Sequence, residues 1–167
     1  STGDVVGKIF APSNPVYLRN LLLAIEENRV KSNLDDFTTM TEATHWTGTI
    51  QGQDINLIDK YQVPIFDIEI GSTLESWKNP IAESVLANSL FRVFDDDIKP
   101  ELKDIKVLLC TGGMHFEETF SNVIINTEKP VSIGHILSNQ WMVQGEYDKE
   151  ENYQYLKKCV DSISMKV

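Results

Sequence analysis

Apolar residues recur at helical spacing in three stretches of the chain, with short apolar runs between them. Leu18, Leu21, Leu22 and Ile25 follow Ser13-Asn14-Pro15. Asn14 is suited to cap a helix, and Pro15 fits its first position, where φ is already set and no N–H is needed. The pattern fades in the polar stretch from Glu26 to Asn33. Asn79-Pro80 repeats the device and leads into Ile81, Val85, Leu86, Leu90, Val93 and Phe94 on one stripe. A third helix is predicted from about Glu150 to Met165, with Tyr155, Leu156, Cys159, Val160 and Ile163 inward. Between these, Phe37–Glu42, Pro64–Gly71, Ile105–Cys110 and Val123–Asn126 are β-branched or apolar and predict strands. Asp95-Asp96-Asp97 with Lys99-Pro100 predicts a polar turn.

Alternating strands and helices predict an α/β fold, a mixed and mostly parallel sheet with helices on both faces. No repeat, low-complexity stretch or long linker divides the 167 residues, so a single domain over 1–167 is expected. Ligands of such sheets sit beyond the carboxyl ends of the strands, which directs attention to Glu42–His45, Glu69–Thr73 and Thr111–His115.

Charge narrows the function. With 15 Lys plus Arg against 25 Asp plus Glu, the formal net charge is −10. A general nucleic-acid coat needs a basic surplus, so any contact with a polyanion must be local. No apolar run approaches the ~18 residues of a membrane span, and no membrane partner is expected. Cys110 and Cys159 lie far apart in the sequence and have no ligand-spaced mate. They read as small core residues in a reducing compartment, which makes a cytoplasmic location the expectation.

Three histidines occur, His45, His115 and His135, and none has the i, i+4 partner of a helical zinc site. Each can be a hydrogen-bonded structural residue; His45 and His115 also lie just past predicted strand ends. Thr111-Gly112-Gly113 can expose backbone N–H groups to an oxyanion, or simply make a tight turn. Alternation puts Asp67 and Glu69 on one face, either solvated or aimed into a cleft. Trp77 reads as a packing anchor.

Glu42-Ala43-Thr44-His45, then Ile68-Glu69-Ile70-Gly71-Ser72-Thr73 with Trp77 and Asn79, then Gly112-Gly113-Met114-His115-Phe116, then Gly134-His135-Ile136-Leu137, occur in one order. That order resembles the archaeal and plant type of D-aminoacyl-tRNA deacylase over Glu42 to Leu137. The resemblance implies an α/β architecture related to phosphorylases and peptidyl-tRNA hydrolases. It implies hydrolysis of the ester between a D-amino acid and tRNA by metal- or His-activated water, with zinc as cofactor. Carried over by position, His45, His115, Glu42 and Glu69 become the catalytic candidates and His45, His115 and His135 the metal ligands. Gly112 and Gly113 become backbone donors beside the ester, with Ser72 and Thr73 near the substrate. Trp46 and Phe116 are the aromatic candidates for stacking on the terminal adenosine.

Trp46 stands where the family has a second histidine, and Glu117 and Glu118 stand where it has a basic residue. Two alternatives follow: a non-catalytic binding module that kept the fold, or a hydrolase of a small acyl or aminoacyl compound. The partner is accordingly expected to be the 3′ end of aminoacyl-tRNA or a small aminoacyl compound.

Overall fold

Two Asn-Pro pairs set the helical framework. The Asn14 side chain accepts from Tyr17 N, and that of Asn79 accepts from both Ile81 N and Ala82 N. Each satisfies donors that the first helical turn leaves open. The computed structural model describes residues 1–46, 54–95, 104–126, 128 and 130–163. In chain order these form β1 (Gly3–Asp4), β2 (Ile9–Phe10), α1 (Pro15–Lys31), β3 (Thr41–Glu42), α2 (Leu57–Lys60), α3 (Leu74–Trp77) and α4 (Pro80–Phe91). After these come β4 (Lys106–Thr111), β5 (Phe116–Glu117), α5 (Glu118–Ile125), β6 (Val131–Leu137), α6 (Asn139–Gln144) and α7 (Tyr153–Asp161).

The α/β class expected from the sequence is the one observed. Its parallel part is the β4–β6 ladder, running from Lys106↔Val131 to Thr111↔Leu137, and two short antiparallel pairs, β1–β2 and β3–β5, flank it. Helices cover both faces. On one face Leu22 of α1 and Ile124 of α5 pack with Ala43, Ile133 and Ile136. On the other, Leu137 packs with Phe10, Tyr147 and Cys159 of α7. The ladder slips by one residue where Leu108 faces Ile133 but Leu109 faces His135, leaving Gly134 as the extra position.

Several predicted elements differ. Helix α1 continues through its polar end to Lys31, where Arg29 holds Glu26 one turn back at 2.8 Å. Of Phe37–Glu42 only Thr41–Glu42 is a strand. Pro64–Gly71 carries no strand pairing; it is an extended segment, with Ile70 packed on the Leu34, Ala82 and Val85 cluster. Val123–Asn126 is the end of a helix, because Glu117 caps Thr119 N and starts α5 just upstream. The third helix is regular only over Tyr153–Asp161, preceded by a 3-10 turn at Glu150–Asn152; residues 164–167 lie outside the described chain. Most of the predicted polar turn, 96–100, also lies outside it. Strand β6, which sequence patterning did not single out, is the most deeply buried strand of the structure.

Cys159 is fully buried and Cys110 half-buried, and burial pushes their thiols up to about 12 and about 11. Both are inert core residues, as expected. Trp77 is no packing anchor. It is 54% exposed and fastens the Gly71 turn by donating from Nε1 to Gly71 O at 3.1 Å. No helix among the described residues is long and apolar enough to cross a membrane.

Candidate active site

Strands β3 and β5 pair antiparallel, with Thr41 opposite Glu117 and Glu42 opposite Phe116. This register brings the residues after β3 beside those before β5, and Ala43 N donates to His115 O at 2.7 Å. The chain leaving β3 is then clamped from its other side, because Gly3 N donates to His45 O at 2.9 Å. Glu42, His45 and His115 are thereby fixed by backbone pairing rather than by loop conformation.

Their side chains converge. His115 Nε2 donates to Glu42 Oε1 at 2.8 Å, and His45 Nε2 lies 3.5 Å from the same oxygen. His45 Nδ1 is 3.0 Å from Ala43 O. A carbonyl only accepts, so Nδ1 carries the proton and a neutral His45 presents the Nε2 lone pair to the site. The two imidazoles are 4.9 Å apart at their centroids. Trp141 of α6 stacks on His45 at 6.2 Å and meets His115 edge-on at 5.1 Å, while Phe116 lies 4.7 Å from His115. The result is a partly buried acid–imidazole pair with an aromatic wall.

Glu69 reaches the same neighbourhood from the 64–72 segment. Desolvation, then the negative charge of Glu42, raises its carboxyl above the ordinary range, and His115 and His45 pull it the other way. Asp67 accepts from buried Thr2 at 3.0 Å. Three carboxylates therefore surround one opening.

Donor atoms of Glu42, His45 and His115 all lie within 4.8 Å of one another. Two imidazoles and a carboxylate are a donor set that zinc accepts, and the Nδ1 bond to Ala43 O is the outer support metal-bound histidines use. These residues fit the metal that the motif implied.

His135 does not join them. It is 1% exposed, with Thr44 Oγ1 3.1 Å from Nδ1 and Ser162 Oγ 3.0 Å from Nε2. Burial pushes its imidazole down to about 3. Both nitrogens are engaged inside the core, so the expectation that all three histidines form one site is corrected to two histidines and a glutamate.

The glycine pair makes a bend. Gly112 and Gly113 have φ +105 and +69, values that favour glycine. Gly112 N donates to Leu137 O at 2.9 Å, which removes it as a backbone donor for a substrate. Thr73 caps α3 by accepting from Ser76 N at 3.2 Å, a structural task, whereas Ser72 lines the cavity described below. Trp46 is half-buried, and the ring beside the histidines is Trp141. Trp141 was missed. Its only signal is a position four residues after β6, in the helix that follows it.

A cavity of about 490 Å³ opens beside this cluster, lined by Leu18, Leu22 and Ile25 of α1, by Phe66 to Ser72, and by Glu42 and Phe116.

Comparison with known proteins adds three findings. A family model described as D-aminoacyl-tRNA deacylase matches residues 7–167. A protein of Caldivirga maquilingensis named D-aminoacyl-tRNA deacylase is 32% identical over 120 residues, 69% of this chain and 42% of that protein. One of that name from Pyrococcus horikoshii is 32% identical over 130 residues, 77% of this chain and 40% of that protein. The chain thus spans about two fifths of the length of the relatives it matches. A crystal structure of a conserved protein of unknown function matches with a TM-score of 0.65 at 22% identity, over 92% of this chain and 46% of that one. That likeness concerns the fold alone.

Proposed function

From the membership of this chain in the D-aminoacyl-tRNA deacylase family, shown by the match over residues 7–167, we propose that it hydrolyses the ester linking a D-amino acid to the 3′ end of tRNA, with Glu42, His45 and His115 at the reacting centre. The observation that supports the centre is the shared Glu42 Oε1, 2.8 Å from His115 Nε2 and 3.5 Å from His45 Nε2.

Ester hydrolysis needs a water deprotonated as it attacks and a group to steady the charge that develops. His45 supplies the base, since its Nε2 lone pair faces the site and Nδ1 is tied to Ala43 O. The Glu42 carboxylate stabilises the imidazolium formed when His45 takes the proton. His115 holds Glu42 in place through its Nε2–H. Trp141 and Phe116 shield the cluster on its aromatic side and keep bulk water from competing. In the alternative metal-loaded form Glu42, His45 and His115 would hold zinc, with His45 Nε2 engaged as a ligand and not as the base, and the metal would then supply carbonyl polarisation and a lowered pKa for a bound water. Trp141 and Phe116 are the aromatic faces available to the terminal adenine. Cytoplasmic action follows from the substrate proposed.

The test is deacylation of D-tyrosyl-tRNA by the wild-type chain, His45→Ala and Glu42→Gln. Loss of His45 should lower kcat by about 10²–10⁴-fold, the usual contribution of a general base, at an unchanged thermal midpoint. Full activity of His45→Ala, or no deacylation by the wild-type chain, would overturn the reading.

A further inference from the structure

The cavity beside the triad has walls that the proposed chemistry does not use. Leu18, Leu22 and Ile25 of α1 face Phe66, Ile68 and Ile70 of the extended segment across it. At about 490 Å³ it falls in the range of small-molecule sites and is far larger than a methyl group needs. Its lining includes Glu42 and Phe116, so its contents lie next to the reacting centre.

We propose that this cavity is the acyl pocket, receiving the side chain of the aminoacyl ester and selecting large apolar side chains over small and acidic ones. The proposal rests on the ester-hydrolase reading of the Glu42, His45 and His115 centre. Apolar walls favour a side chain in proportion to the surface it removes from water. An acidic side chain would have to pass Glu42, Asp67 and Glu69, all of which line the cavity. Among the described lining side chains Arg29 is the one basic one, and it offers no counter-charge. Its Nε and Nη2 are held by Glu26 at 2.8 Å, and Nη1 by Leu34 O at 3.3 Å. The inner wall, formed by α1, is rigid, since Leu22 belongs to the α1–β6 core. The outer wall, 64–72, has no ladder to break and accepts substitution more readily.

The experiment uses the whole chain and two readouts. Amide-linked, non-hydrolysable 3′-aminoacylamino-3′-deoxyadenosines carrying D-Phe, D-Ala or D-Asp are titrated by calorimetry, and tRNAs charged with the same amino acids are assayed for deacylation. D-Phe should exceed D-Ala by at least about tenfold, since one methylene in an apolar pocket is worth about 10–200-fold, and D-Asp should rank last. Ile68→Trp fills the pocket from the outer wall and should bring the D-Phe to D-Ala ratio near one. Ile25→Trp fills it from the inner wall and should do the same. Glu69→Gln should narrow the gap between D-Ala and D-Asp severalfold.

Equal D-Phe and D-Ala in the wild-type chain would overturn the proposal, as would an unchanged ratio in both tryptophan variants at a native thermal midpoint. Analogues binding in the stated order without deacylation would support the pocket and sink the hydrolase reading. Deacylation without any ranking by side chain would sink the pocket and leave the hydrolase standing.

Discussion

Thr44 Oγ1 and His135 Nδ1 lie 3.1 Å apart, 91 residues from each other in sequence, and join the chain leaving β3 to the buried middle of β6. The same hydroxyl accepts from Ile136 N at 3.1 Å. One side chain therefore docks the segment bearing Glu42 and His45 onto the core, with His135 as its neutral partner.

Acid should undo that docking. Burial lowers the His135 imidazole from 6.5 to about 3, so the unfolded chain binds a proton near pH 6.5 that the folded chain refuses until about pH 3. The stability this confers is complete above pH 6.5 and is lost as pH falls towards 3, by about 1.4 kcal/mol per unit. His135→Asn should be less stable at pH 7 by about 1–3 kcal/mol, yet show a shallower decline between pH 6.5 and 4. Urea midpoints across that range check it; parallel profiles for the two proteins would contradict it.

Metal loading separates the histidines by role. The wild-type chain should take up one zinc per molecule in competition with a chromogenic chelator. His115→Ala and Glu42→Gln should each weaken it by about tenfold or more, because each removes a donor. His135→Asn should leave the affinity as it was. A loss with His135→Asn equal to that with His115→Ala would restore His135 to the ligand set.

A Cβ at position 134 would lie 2.5 Å from both Cγ1 and Cδ1 of Ile163. Gly134→Ala should therefore cost about 1–3 kcal/mol by overpacking. Ile163→Val in the same chain should recover part of that loss, and a double-mutant cycle on thermal or urea unfolding measures the coupling. Strict additivity would mean that the clash is relieved elsewhere.

Binding of bulk tRNA should be weak and shallow in its salt dependence. The net charge is −10, and Glu117 and exposed Glu118 follow His115-Phe116. Few phosphates can be neutralised, so log Kd should change little with log salt. A steep slope in a filter-binding series at 50–200 mM salt would show a basic surface that the described residues do not present.

What the sequence revealed was local. Asn14-Pro15 and Asn79-Pro80 announced α1 and α4 because a cap and its N–H partners sit within three residues. Glu42, His45 and His115 were readable as motif ends, and the structure joins them. β6 was obscure for the opposite reason. Strands buried on both faces show no alternation, and Ser132, Gly134 and His135 disguise it further. His135 looked like a ligand because nothing near it in sequence names Thr44 and Ser162 as its partners. Trp141 was invisible as a site residue since its neighbours, His45 and His115, arrive from elsewhere. The Pro64–Gly71 alternation predicted a strand with two faces, but among the described residues no strand pairs with it, and Phe66, Asp67, Ile68, Glu69 and Ile70 all line the one cavity.

The slipped residue in β6 changes the parity of that strand. Ile133 and Ile136, three apart, belong to one core cluster, whereas Leu137 belongs to the cluster on the opposite face. Odd positions before Gly134 and even positions after it thus share a side. A graft that kept all seven residues of this strand but straightened the slip would exchange inside for outside in its second half. It would turn His135 towards the α1 side, swing Ile136 away from Ala43, and release the segment that carries Glu42 and His45. The placement of Glu42 and His45 thus depends on a counting irregularity in a strand that contributes no side chain to their cluster.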